Sequence, residues 1–148
     1  MLKKLAVASV AVLLLSGCAG SKKGMSSSVD AALVADFERN VGDRVHFAYD
    51  RSVITKDAHA TLLRQSEWLK AHGQINVTVE GHCDDRGTRE YNLALGERRA
   101  AAAAKALEAN GVAMSKIETV SYGKERPAVL GTGEAVWGKN RRAVTVLR

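Results

Sequence analysis

Hydrophobic residues fall into three patterns along the chain. The first is continuous: Leu5 to Leu15 is an unbroken run of 11 residues of Leu, Ala, Val and one Ser. A spanning helix needs roughly 20 apolar residues, so this run is too short to cross a bilayer stably and fits the core of a secretory signal. The second pattern has period two and predicts strands. Val45, Phe47 and Tyr49 alternate with His46, Ala48 and Asp50. Ile75, Val77 and Val79 alternate with Asn76, Thr78 and Glu80, ending near His82. Ile117 to Tyr122 and Ala143 to Leu147 complete the set. The third pattern is helical. Leu33, Val34 and Phe37 lie in a short amphipathic stretch from Asp30 to Asn40. Ala58, Leu62 and Leu69 share a face after the N-cap candidate Thr55 and before the stop Gly73. Leu93, Ala100, Ala104 and Leu107 form a stripe in a long helix from about Glu90 to Asn110, closed by Asn110-Gly111. A loop with Pro127 and a short helical turn over Glu134 to Gly138 precede the last strand.

Strands separated by helices imply crossover connections and at least partly parallel pairing. The helices are too few to cover two faces, so the expected fold class is α/β, an α+β sandwich: a mixed sheet with helices packed on one face. The length of 148 residues allows one domain of ordinary size and excludes a large barrel or two-domain enzyme. Two cysteines, Cys18 and Cys83, cannot make a disulfide framework.

The apolar run ends in Leu15-Ser16-Gly17-Cys18, which resembles the bacterial lipobox. Small residues suit the peptidase, and the thiol is the nucleophile that accepts a diacylglyceryl group. Each buried methylene adds roughly 0.8 kcal/mol, so several acyl chains hold where one would not. By resemblance to enterobacterial lipoprotein sorting, Ala19 in place of Asp favours the outer membrane. The Gly, Ser and Lys stretch from Ala19 to Ser28 has tether composition. The expected organisation is a signal peptide over residues 1–17, lipidated Cys18 with a flexible tether and short helix over 18–40, and a ligand-binding domain over 41–148. The formal net charge of +6 includes Lys3 and Lys4; without them, 20 basic residues face 16 acidic ones and the excess falls to +4. An exported protein meets no nucleic acid, so no nucleic-acid partner is expected.

The densest polar stretch runs from Gly81 to Asn92 and continues through Leu95-Gly96-Glu97-Arg98-Arg99-Ala100. It sits where the second strand ends and the long helix begins, the crevice where open α/β sheets place ligands. Asn92 and Arg99 are seven apart and project from nearly one side of the helix, with Leu95 close to it. Asp84 faces the same region from the strand end. A carboxylate opposite a guanidinium suits a zwitterion, the acid taking an ammonium and the arginine a carboxylate in a forked pair. The residues alone equally allow a structural Asp84–Arg99 salt bridge.

These residues make the chain similar to the OmpA-like peptidoglycan-binding family. The marks are Val77-Thr78-Val79-Glu80-Gly81-His82, Asp85-Arg86-Gly87-Thr88, Glu90-Tyr91-Asn92, Leu95 to Ala100, Ser121-Tyr122-Gly123-Lys124-Glu125 and Lys139-Asn140-Arg141-Arg142-Ala143-Val144. The resemblance spans nearly all of Val45 to Arg148 and implies a βαβαβ-type mixed sheet. It implies a non-covalent hold on peptidoglycan through the diaminopimelate of the stem peptide. By position, Asp84 would meet the diaminopimelate amino group and Arg99 its carboxylate. Phe47 and Asp50 belong to a Phe-x-x-Asp strand end at the cleft rim, and Asn92 and Leu95 would line the cleft. Asn140 and Arg141, from an Asn-Arg-Arg signature, would mainly hold the loop beside it. Lipid-anchored members bind the propeller protein TolB and belong to the Tol–Pal envelope system, so TolB and other Tol–Pal components are the implied partners. The chain departs from the family at Cys83, where Ala or Thr is usual; on an extended segment this thiol should point opposite to His82 and Asp84 and pack inward. The histidines lack ligand spacing, Gly131-x-Gly133 is followed by no phosphate-loop Lys, and His82 and Cys83 point apart. No metal, cofactor or enzymatic activity is therefore expected.

Overall fold

The computed structural model describes residues 28–148, so the apolar run, the lipobox and Cys18 lie outside the described residues. The elements, in order, are α1 (Ala31–Asp36), running into a π-helical turn (Phe37–Val41); β1 (Arg44–His46); α2 (Lys56–Ala71); β2 (Val77–His82); α3 (Arg89–Ala109); β3 (Ile117–Gly123), entered through a 3-10 turn; α4 (Glu134–Asn140); and β4 (Arg142–Leu147). The strands form one sheet in the order β1-β4-β2-β3. The β2–β3 pair, joined through α3, is parallel, whereas β4 is antiparallel to both β1 and β2.

Period-two residues explain which face is covered. Val45, Val77, Val79, Ala143, Leu147 and Ile117 are buried and join Leu62 and Leu69 of α2 and Ala100, Ala103, Ala104 and Leu107 of α3 in one core. Residues alternating with them, such as Arg44, His46, Glu80 and Glu118, lie on the opposite face, outside the main core cluster. The mixed sheet with helices on one face follows from this alternation.

Caps fall where the side chains can make them. Thr55 accepts from Ala58 N at 3.2 Å to start α2, and Thr88 accepts from Tyr91 N at 3.2 Å to start α3. Phe37 is buried in the core beside Val45, so α1 and its π-helical turn pack as part of the folded unit. Gln65 ties that region to the sheet, donating to Gly42 O at 2.6 Å and accepting from Thr145 Oγ1 at 2.8 Å.

Two sequence expectations need correction. The first strand stops at His46 rather than running to Asp50, because Asp50 adopts a positive φ of 54° and the chain turns away. Tyr49 is accordingly exposed instead of continuing the alternation. The buried stripe of α3 begins at Asn92 and Leu95, not at Leu93, which is exposed. The first two turns of α3 therefore turn a polar residue, Asn92, toward the sheet end.

Candidate functional site

Three segments converge at one end of the sheet. The chain just past β2 supplies Cys83 and Asp84, the first turns of α3 supply Asn92, Leu95 and Arg99, and the turn after β1 supplies Tyr49 and Asp50. Together they line an open cleft of about 390 Å³. A backbone contact sets the width of this arrangement. A Cβ added at Gly81 would stand 1.8 Å from Gly96 O, and one added at Gly96 would stand 2.3 Å from Ser121 Oγ. Glycine at both positions lets α3 lie directly on the end of β2, which brings Asp84 and Arg99 to one cleft.

Arg99 is fully buried, yet it forms no ion pair among the described residues. Its guanidinium donates to three backbone carbonyls: Nε to Arg51 O at 2.8 Å, Nη1 to His82 O at 3.0 Å and Nη2 to Ala48 O at 3.2 Å. A guanidinium has five N–H groups. Two therefore remain for something else. Burial pulls the Arg99 guanidinium below its ordinary value, with the neighbouring Cys83 and Asp84 side chains opposing. A cation held dry, with unused donors at a cleft, is a receptor for an anion. The structural Asp84–Arg99 salt bridge that the residues also allowed is not formed.

Asp84 is buried and pairs with other arginines. Arg86 donates to it three times: the backbone N–H to Oδ1 at 3.2 Å, Nε to Oδ1 at 3.2 Å and Nη2 to Oδ2 at 2.6 Å. Arg141 Nη1 stands 3.5 Å from Oδ2. Burial works to raise the Asp84 carboxyl, but the Arg86 hydrogen bonds and the charges of Arg86 and Arg141 outweigh it and hold it below the ordinary carboxylate value. Asp84 thus stays ionised at neutral pH.

The other expected site residues divide by position. Asn92 donates from Nδ2 to Arg86 O at 2.7 Å and Thr88 O at 2.9 Å, pinning the turn that carries Asp84 and leaving its carbonyl oxygen for the cleft. Leu95 is buried and forms an apolar wall between Asn92 and Arg99. Asp50 lines the cleft and accepts from Tyr91 Oη, an interaction that raises the tyrosine above its ordinary value. Phe47 is not at the rim. It is buried in the core, its ring 5.3 Å below the Arg99 guanidinium. Arg141 stands behind Asp84, donating to Phe47 O at 2.9 Å and bonding Glu134 through both terminal nitrogens. Asn140 fixes the adjoining loop, accepting from Ala128 N at 2.8 Å and Val129 N at 3.0 Å and donating to Val129 O at 2.9 Å.

Cys83 is buried as a small hydrophobe, but its thiol contacts the cleft and donates to Asn92 O at 3.2 Å. It does not point away from the Asp84 side, because both residues lie beyond the end of β2 at His82, where strand alternation no longer holds. Burial raises the thiol above its ordinary value, so it is protonated and a poor nucleophile. Sequence reasoning missed Tyr49, Arg86 and Trp137 as parts of one assembly. The Arg86 guanidinium lies 4.0 Å from the Tyr49 ring and 3.9 Å from the Trp137 ring. No spacing along the chain could bring these three together.

The model of the OmpA family matches residues 46–141, the span that carries every cleft residue named above. The peptidoglycan-associated lipoprotein of Mesorhizobium japonicum is 49% identical, over 95% of this chain and 89% of that protein. The chain belongs to the OmpA family, among the peptidoglycan-associated lipoproteins. Within the family, the crystal structure of the peptidoglycan-associated lipoprotein from Burkholderia pseudomallei matches with a TM-score of 0.69 and 42% identity, covering 72% of this chain and 90% of that one. The C-terminal domain of Helicobacter pylori MotB shares the OmpA-like fold, with a TM-score of 0.67 at 21% identity over 72% of this chain and 84% of that one. No helix among the described residues of this OmpA-family chain is long and apolar enough to cross a membrane.

Proposed function

We propose that this protein is an outer-membrane lipoprotein whose cleft holds peptidoglycan non-covalently and so ties that membrane to the cell wall. The observation that carries the reading is Arg99: buried, unpaired with any acid among the described residues, and lining the same cleft as Asp84. A cation and an anion fixed in one cleft suit a ligand that carries a carboxylate and an ammonium together. The side chain of diaminopimelate in the stem peptide ends in such a pair. The carboxylate would take the free N–H groups of Arg99, the ammonium would approach Asp84, and Asn92 Oδ1 and Leu95 would receive the groups between. The names of the relatives support peptidoglycan as the polymer. Phe47, Asp50 and Arg141 serve by placement, Phe47 as the floor under Arg99 and Arg141 as the support behind Asp84.

In this reading Cys18 carries the lipid after removal of residues 1–17. The domain works within the Tol–Pal system with TolB, supporting envelope integrity and cell division. It does no bond chemistry: Asp84 is occupied by arginine donors and the Cys83 thiol is held protonated, which makes both poor bases and nucleophiles. Sedimentation of the purified protein with sacculi tests the proposal. The parent should pellet, whereas Asp84→Asn and Arg99→Lys, checked by thermal melting, should stay in solution. Pelleting of both variants as fully as the parent refutes the cleft assignment. Release of soluble muropeptides by the pure protein refutes the non-enzymatic reading.

A further inference from the structure

Resting on that reading of the cleft, we propose that Arg86 is a built-in stand-in for the ligand's ammonium, a latch that must leave Asp84 before the ligand can seat. A carboxylate offers about four acceptor positions. On Asp84, Oδ1 takes the Arg86 backbone N–H and Nε, both at 3.2 Å, while Oδ2 takes Arg86 Nη2 at 2.6 Å and faces Arg141 Nη1 at 3.5 Å. Arg86 alone fills three positions, and the fourth faces the Arg141 cation, which repels an incoming ammonium.

One of these donors has to give way, and they differ in how firmly they are held. The backbone N–H is fixed by the turn, which Asn92 pins through Arg86 O at 2.7 Å. Arg141 is 7% exposed at its side chain and is held by Phe47 O and Glu134. The Arg86 side chain is 30% exposed and, among the described residues, is otherwise held by the Tyr49 and Trp137 ring faces. Ring faces attract a cation without fixing its direction. The guanidinium can therefore slide between the rings and off the carboxylate while keeping most of that attraction. Arg86 makes the exchange of one cation for another on Asp84 possible without leaving the buried carboxylate bare, and it disfavours ligands that bring no cation to the exchange.

The test uses the full chain in detergent micelles, with Trp68 replaced by Phe so that Trp137 is the only tryptophan. A diaminopimelate stem tripeptide is titrated against this protein and against the same protein carrying Arg86→Gln. Removing a partly exposed, charge-assisted competitor should tighten binding about three- to tenfold. In the parent the peptide should change Trp137 emission as the guanidinium moves across the ring; with Arg86→Gln that change should disappear. Equal or weaker binding by Arg86→Gln overturns the latch, as does an unchanged Trp137 response, while leaving the cleft assignment in place. A parent that does not bind the tripeptide overturns both.

Discussion

Acidification should weaken this fold through one buried histidine. His82 ends β2 and is 1% exposed; its Nε2 stands 3.2 Å from Glu80 Oε2, its ring lies 5.5 Å from Tyr122, and Nδ1 is buried without a partner. Burial first, and the Arg142 charge second, push its pKa from 6.5 down to about 4, against the pull of Glu80; the Arg126 charge pushes the same way. The sign follows from proton binding. Between about pH 6.5 and pH 4 the unfolded chain holds a proton on His82 that the folded chain does not. The neutral ring's contribution is complete above pH 6.5 and is lost as the pH falls toward 4. A depression of about 2.5 pH units corresponds to about 3 kcal/mol, a large part of the stability of an ordinary domain. His46, exposed on the outer face and lowered first by desolvation and then by Arg44, adds weakly in the same direction. Asp84, lowered from 3.8, and Glu134, lowered from 4.5, begin to lose their contributions at the acid end of this window, and comparison with a His82→Gln variant separates them from the histidine. Urea unfolding at intervals from pH 7.5 to 4, on the parent and on His82→Gln, measures the effect. The parent should lose about 3 kcal/mol and the variant much less. Equal slopes in the two proteins, or an NMR titration of the His82 ring near its ordinary value, would refute the reasoning.

Four further outcomes are expected. Gly96→Ala places a methyl group 2.3 Å from Ser121 Oγ and 3.0 Å from Gly81 O, and should cost about 1–3 kcal/mol by thermal or urea unfolding. Gly81→Ala should cost more, since its methyl group would meet the Gly96 carbonyl itself at 1.8 Å. Cys83 should resist alkylation in the native protein, because burial both shields the thiol and raises it; labelling should follow unfolding, and rapid native labelling would contradict its placement. Cys18→Ser should abolish incorporation of labelled lipid and leave the protein unprocessed or free in the periplasm; unchanged membrane fractionation would contradict the anchor.

The chain order of strands and helices was readable because period-two and helical patterns are written locally. The cap Thr55 and the core residues Val77, Val79 and Leu62 all lie where that local grammar puts them. The insertion of the last strand between the first and second was not readable, since pairing is settled by which edges meet rather than by any residue of β4. Asp84, Asn92, Leu95 and Arg99 were placed in one crevice by their spacing about a strand end and a helix start, and all four line the cleft. What each charge bonds to was not legible. Arg99 could be expected to face the acid, but three carbonyls from segments up to 51 residues away hold it instead. The acid's own partner, Arg86, lies two residues along in the same turn. The Gly81–Gly96 contact was hidden for a related reason: each glycine reads as an ordinary strand or helix residue until the strand and helix are laid together.

The central claim is that Arg99 and Asp84 read the two opposite charges of one ligand. Two stem peptides that differ only at the third residue, diaminopimelate in one and lysine in the other, test it most directly. Lysine keeps the ammonium and lacks the carboxylate. Leaving a buried charged group without its partner typically costs 2–5 kcal/mol, so calorimetry should find the lysine peptide weaker by about 30-fold or more. The Arg99→Lys protein should lose most of that preference. Equal affinity of the parent for both peptides would contradict the account.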